Sequence, residues 1–205
     1  MRSLKQGLSF SVFILVLTGC TAFAGSVCQK YPASQVKGEG PIPYNCRVID
    51  SHVYAGGHPL NPASNFGNSD SQVLSILSFL GSKGIKTVID LENTKRIQSR
   101  YSQLLFSAGI KRIHIPLNES KVPTALEWAQ MKEVMKKPVY IHCKWGADRT
   151  GAVIAKYLVE EKRYSPEDAY KAVISGGSHA GAMGGLKTTA AYKNLIRFFW
   201  PNYCN

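Results

Sequence analysis

The sequence predicts an α/β fold, a central and largely parallel sheet flanked by helices, and two observations carry that prediction. Apolar, β-branched runs recur at Ile85–Leu91, Ile110–Leu117 and Val139–Cys143, as expected of strands packed inside a sheet. Segments with apolar residues at helical spacing lie between these runs, so strands and helices alternate along the chain. The length, 205 residues, suits one domain with a sizeable core plus an export segment.

Residues 1–24 read as a secretory signal outside the fold. Arg2 and Lys5 form a positive start, and Leu8–Leu17 is apolar but short for a membrane span. Two processing sites compete. Leu17-Thr18-Gly19-Cys20 is similar to a bacterial lipobox, in which a lipidated Cys20 would tether the protein to a membrane; Ala22-Phe23-Ala24 before Gly25 fits ordinary cleavage. Either way the mature protein is expected outside the cytoplasm, in the periplasm or on the outer membrane of a Gram-negative source. Residues 25–45, with Pro32, Gly38, Gly40, Pro41 and Pro43, read as an extended arm, and residues 46–205 as the folded domain.

Within the domain, Arg47–Asp50 and His52–Ala55 read as two short strands, and Gly56-Gly57-His58-Pro59 breaks the pattern as a structural turn. Ser69 or Asp70 caps a helix carrying Val73, Ile76, Leu77 and Leu80 on one face, ending at Gly81 and Gly84. After the Ile85–Leu91 strand, Asp90 and Glu92 read as surface charges at its end. A helix over Ser99–Ala108 precedes the Ile110–Leu117 strand and the loop Asn118–Pro123. Thr124 and Glu127 form a capping box for the helix Ala125–Lys136, which Pro138 follows. Further helices are expected over Thr150–Lys162, Ser165–Ser175 and Thr188–Trp200. Gly176–Gly185, which includes His179, is too glycine-rich for regular structure and reads as a mobile wall of a pocket.

Lys and Arg total 25 against 13 acidic residues, a formal net charge of +12, which favours anionic partners. The cations are dispersed and accompany no nucleic-acid motif, so phosphorylated proteins, small molecules or lipid headgroups are the expected partners and nucleic acid is not. The histidines at 52, 58, 114, 142 and 179 lack ligand spacing, and neither metal nor cofactor is expected. Of the five cysteines, Cys28, Cys46 and Cys204 are available for one disulfide in an oxidising compartment, with the pairing open.

The chemistry concentrates in Val139-Tyr140-Ile141-His142-Cys143-Lys144-Trp145-Gly146-Ala147-Asp148-Arg149-Thr150-Gly151, a strand that runs through a short loop into a helix. An Arg six positions after a Cys lets the backbone N–H groups of Lys144, Trp145, Gly146 and Ala147 curl around an oxyanion while the guanidinium closes the ring. The helix end aims its positive pole at the same point, and all three features favour a thiolate at Cys143. Nucleophile and anion pocket coincide.

This stretch, His142-Cys143, five residues, then Arg149-Thr150, resembles the signature of the cysteine-dependent protein tyrosine and dual-specificity phosphatases, and Arg47 to about Trp200 is similar to their compact bacterial group. The resemblance implies a protein tyrosine phosphatase-like fold, Cys143 as nucleophile and Arg149 as phosphate clamp. It places the Thr150 hydroxyl on the Cys143 sulfur and gives His142 the task of ordering the loop. Members carry an Asp as general acid on the loop before the motif strand; here that loop offers Glu119. Asp148, inside the motif as in the myotubularin-like branch, is the rival donor. Lys144, also found in a lipid-phosphatase branch, points to polyanionic substrates, and Trp145 to stacking on a ring. The reading from another class is a non-catalytic phosphate-binding module.

Overall fold

In the computed structural model, residues 28–33, 40–61 and 65–204 are described, and both predicted processing sites, including Cys20, lie outside them. Six strands form one sheet: β1 (Gln29–Lys30), β2 (Arg47–Asp50), β3 (Val53–Gly57), β4 (Thr87–Asp90), β5 (Lys111–His114) and β6 (Val139–Cys143). Their order is β1-β2-β3-β6-β4-β5. From β3 to β5 every pairing is parallel, and β1 and β2 extend that edge in antiparallel fashion. The largely parallel sheet expected from the alternating pattern is therefore present, and residues of the arm add an edge strand that had no periodicity to announce it.

The period of two along the strands divides the interior into two layers. Ile89, Val139 and Ile141 face one core with α3 (Ala125–Val134), α4 (Asp148–Lys162), α5 (Pro166–Val173) and α6 (Lys193–Phe199). Val88 and Tyr140 face the other, with α1 (Asp70–Ser82) and α2 (Gln98–Ser107). β6, central and entirely buried, places its last residue, Cys143, at the carboxyl edge where ligands bind in such sheets.

Capping explains where α1, α3 and α5 begin. Ser69 and Gln72 form one reciprocal capping box, and Thr124 and Glu127 form the predicted second. Ser165 accepts from the Asp168 N–H ahead of α5, with Pro166 in its first turn. Several predicted elements are shorter than their patterns, and β4 itself covers only Thr87–Asp90 of the Ile85–Leu91 run. Regular pairing in β5 stops at His114 because β4 ends at Asp90, and residues 188–200 open with a 3-10 turn, Ala190–Tyr192, before α6.

Other expectations need correction. Cys28, Cys46, Cys143 and Cys204 are all free thiols. Register explains the first pair, because Tyr31, not Cys28, donates to the Cys46 carbonyl, three residues along a strand from Cys28 and beyond disulfide reach. Cys46 is buried at the sheet edge and Cys204 is exposed after α6. Nor is the glycine-rich stretch a loose wall. His179 donates its N–H to the Ala172 carbonyl and Leu186 donates to that of Val173, while carbonyls of the stretch accept from the side chains of Asn45 and, on β2, Arg47. Among the described residues no helix is long and apolar enough to cross a membrane.

Candidate active site

The loop between β6 and α4 folds back over the end of β3. Gly56 pairs with His142 and Gly57 with Cys143, and Gly146, at φ +68°, lies against both glycines. A Cβ on Gly146 would sit 2.2 Å from the Gly56 carbonyl carbon. Gly56-Gly57, read from sequence as a turn, is in fact the side-chain-free floor of the loop.

Cys143 is 2% exposed at the bottom of a cleft of about 210 Å³. Lys144, Trp145, Asp148, Arg149 and Glu119 line this cleft together with Lys187, Tyr192 and Leu195 from the C-terminal region. The structure thus brings the predicted nucleophile, clamp and both carboxyl groups to one place. Ala147 precedes the first turn of α4 and hands its carbonyl to the Gly151 N–H, leaving the N–H groups at the start of α4 without helical acceptors.

Arg149 is held before any ligand arrives. Its Nη1 donates to the carbonyls of Leu91 and Leu117, at 3.1 and 3.2 Å, where the chain leaves β4 and β5. Its Nη2 donates to Glu92 Oε2 at 2.9 Å. A guanidinium has five N–H donors. Among the described residues these three bonds leave Nε–H and one N–H on Nη2, the two donors of a bidentate fork for phosphate. Burial works against the Arg149 charge, but the Cys143 sulfur and Glu92 outweigh it and raise its pKa.

Glu92 and Asp90 correct the sequence reading, for both are buried. Their charges are tolerable because each meets a guanidinium: Asp90 accepts from Arg112 at 2.9 Å, and Glu92 from Arg149 while also taking the Thr94 N–H and hydroxyl. The available signal was an acidic pair closing a strand at the same edge as the motif. Glu92→Gln should lower kcat/KM about ten- to hundredfold, mainly through KM, because an amide cannot satisfy both Arg149 and Thr94. Steady-state kinetics on an aryl phosphate check this, and an unchanged KM would remove Glu92 from the clamp.

His142 lies below the loop, where Tyr101 Oη and His142 Nε2 are 2.9 Å apart and the His58 ring stands 4.7 Å away. Burial, reinforced by neighbouring charges, holds the pKa of both histidines well below the ordinary value, so both are neutral at physiological pH. This agrees with an ordering rather than proton-carrying His142. His58, Asp90 and His142 also place three potential metal-ligand atoms within 4.8 Å. His58 Nδ1, however, accepts the Leu60 N–H, so its Nε2 carries the ring proton and is unsuited to ligation. Thr150 is fully buried, and its Oγ1 has no hydrogen-bond partner among the described residues; the expected bond to Cys143 is not made here.

The two carboxyl groups differ in setting. Glu119 is exposed in a turn whose Asn118 side chain accepts the Ser120 and Lys121 N–H groups. Asp148 is partly buried and its Oδ1 accepts the Lys187 N–H at 2.9 Å. Burial raises the Asp148 pKa above the usual carboxyl value, against the opposing pull of Lys187 and Arg149. The Lys144 ammonium lies over both the Phe66 and Trp145 rings, at 5.1 and 5.4 Å, and Trp145 makes an edge contact with Tyr44. A second groove of about 330 Å³, reaching Tyr44 and Met183, adjoins the cleft along Trp145, Asp148 and Lys187. His179 lines neither cavity.

A family model described as "Polymorphic toxin system, DSP-PTPase phosphatase" matches residues 66–163. Phosphatidylglycerophosphatase and protein-tyrosine phosphatase 1 of Mus musculus is 29% identical over 138 residues, 64% of this chain and 66% of that protein. The chain therefore spans just under two thirds of that relative's length. Among solved structures, P. aeruginosa TpbA superposes with a TM-score of 0.58 at 17% identity, covering 85% of this chain and 91% of that one. PTPMT1 gives 0.55 at 21% identity, covering 76% and 94%. TpbA has also been solved in complex with pTyr and PTPMT1 with PI(5)P.

Proposed function

Because the chain belongs to the cysteine-dependent protein tyrosine and dual-specificity phosphatase superfamily, we propose that it hydrolyses phosphate monoesters through a cysteinyl-phosphate intermediate. The observation that carries the reading is the single small cleft shared by Cys143, Arg149 and the loop between them. In the first step the Cys143 thiolate attacks phosphorus, the S–P bond forms, and the bond to the leaving oxygen breaks as that oxygen takes a proton from a carboxyl group. Water then attacks phosphorus and the S–P bond breaks. Its proton returns to the carboxylate, so orthophosphate leaves and the thiolate is restored. Loop N–H groups and the Arg149 fork balance the charge on the equatorial oxygens.

Asp148 is the proton donor in this scheme in preference to Glu119, because the first turn of α4 and the Lys187 N–H fix it at the cleft, whereas Glu119 stands in an exposed turn, and burial raises the Asp148 pKa above the usual carboxyl value. Asp148→Asn preserves an acceptor for the Lys187 N–H, so the loop keeps its shape. That variant should lose about a hundredfold in kcat on phenyl phosphate and little on a dinitrophenyl ester, whose leaving group needs no proton. The alkaline limb of the wild-type profile should vanish with it, and Glu119→Gln should leave the ratio between the two esters unchanged. If Glu119→Gln alone lowers that ratio, the donor is Glu119. A reduced wild-type protein that binds tungstate yet releases no phosphate would mark the fold as a phosphate-binding module.

The substrate is a monoester whose alcohol carries an aromatic or apolar body. The cleft opens onto a groove walled by Trp145, Tyr44 and Met183, and among the described residues Lys187 is the one cation lining it. TpbA, solved with pTyr, is a precedent for an aromatic alcohol; PTPMT1, solved with PI(5)P, shows that a cyclitol phosphate also fits this fold. Export rests on Arg2, Lys5 and the apolar Leu8–Leu17, with Cys20 or Ala24 as the processing site, and would put the enzyme on extracytoplasmic phosphoesters.

A further inference from the structure

A phosphate cradle made of backbone needs its N–H groups turned inward. Because peptide units are planar and trans, the carbonyl of one residue and the N–H of the next point in opposite directions. An inward N–H therefore requires an outward carbonyl, and a buried carbonyl requires a donor. Three consecutive carbonyls of the loop have such donors. Lys144 O accepts from Asn61 Nδ2 at 2.8 Å and from the His58 N–H at 3.2 Å. Trp145 O accepts from Asn45 Nδ2 at 3.2 Å, and Gly146 O from Arg47 Nη1 at 2.8 Å.

We infer that Asn45, Arg47 and Asn61 are positioning residues for oxyanion binding: by holding the carbonyls of Trp145, Gly146 and Lys144 outward, they turn the N–H groups of Gly146, Ala147 and Trp145 toward the phosphate. None of them lines the cleft. The reading rests on the phosphate site proposed above and extends it to residues some hundred positions earlier in the chain.

The geometry around the three residues fits this task. Asn45 has φ +55°, a conformation Asn tolerates better than most residues. From there its side chain also donates to Gly184 O and accepts the Met183 N–H, so it joins the cradle to the glycine-rich stretch. Arg47 is fully buried and donates further to Asn45 O and His179 O. No ion pair with a carboxylate is made by Arg47 among the described residues, and its Nη2 is without a partner. Burial is the largest influence on its charge and weakens it, and a thiolate at a neighbouring cysteine would oppose that effect. In the sheet order Arg47, on β2, and the Arg149 acceptors, at the ends of β4 and β5, lie on opposite sides of β6. Among the described residues Asn61 Oδ1 has no partner, so the bond its nitrogen donates is the one this amide makes there.

The test uses the reduced full chain, with tungstate as a phosphate mimic that binds without turnover. Asn61→Ala, Asn45→Gly and Arg47→Gln should each raise the tungstate Kd about tenfold, the loss of one buried donor in each case. Circular dichroism should remain that of the wild type for Asn61→Ala, which removes an unsatisfied acceptor, and for Asn45→Gly, which suits the left-handed backbone. Arg47→Lys should recover part of the affinity that Arg47→Gln loses, because its ammonium can still donate to the Gly146 carbonyl. Folded Asn61→Ala and Asn45→Gly proteins with tungstate affinity within about twofold of the wild type would overturn the inference. Should Arg47→Gln fail to fold, these two variants decide it. Tungstate binding by a wild type that hydrolyses nothing would refute the catalytic reading and leave this one standing; no binding at all would refute both.

Discussion

Phosphate release from an aryl phosphate is expected to fall at least about a thousandfold in Cys143→Ser, to the level of a reaction without a nucleophile. The substitution changes one buried atom, so the cradle, Arg149 and its three acceptors remain. Tungstate should therefore bind the variant nearly as well as the wild type, and rapid-quench trapping should find a phosphorylated protein only in the wild type. The paired result matters. Loss of turnover together with loss of oxyanion binding would mean that serine had disturbed the loop, whereas equal turnover in both proteins would end the covalent mechanism.

Gly146→Ala is expected to have the second largest effect. The added Cβ would stand 2.2, 2.4 and 2.6 Å from the Gly56 carbon, the Gly56 oxygen and the Gly57 nitrogen, all backbone atoms of a strand that pairs with β6. The strand has little room to yield, and the left-handed φ adds its own penalty. Together these should destabilise the protein by about 2–4 kcal/mol. The loop would have to lift from its floor, and a displacement of about 1 Å at the phosphate should lower kcat/KM a hundredfold or more. Chemical denaturation and kinetics on the same preparation check both halves. Wild-type values would show that the loop has slack where none is seen.

Local features of the fold are legible in the sequence. The capping boxes at Ser69 and Thr124, the strand with the motif and the Cys143–Arg149 spacing depend on neighbours in sequence, and the chain states them directly. What escaped depends on partners far away. Glu92 looks like a surface charge until Arg149, 57 positions on, removes the cost of burying it. Arg47 looked like one cation among 25, because no local pattern says that its guanidinium meets the Gly146 carbonyl. Gly56-Gly57 was a turn by composition and a floor by packing. The expected disulfide failed for a related reason: a cysteine count carries no register.

The three bonds that hold Arg149 also bear on what the enzyme does at rest. A free arginine side chain has about 2 kcal/mol of rotamer entropy to lose when it is ordered. Here Leu91 O, Leu117 O and Glu92 impose that ordering during folding, so an arriving phosphate meets a clamp already set. Association then resembles a key entering a rigid lock and requires no closing movement of the guanidinium. The same rigidity gives the clamp no means of telling an esterified phosphate from a free one, so added orthophosphate should compete with an aryl phosphate for the site, and inhibition kinetics check this.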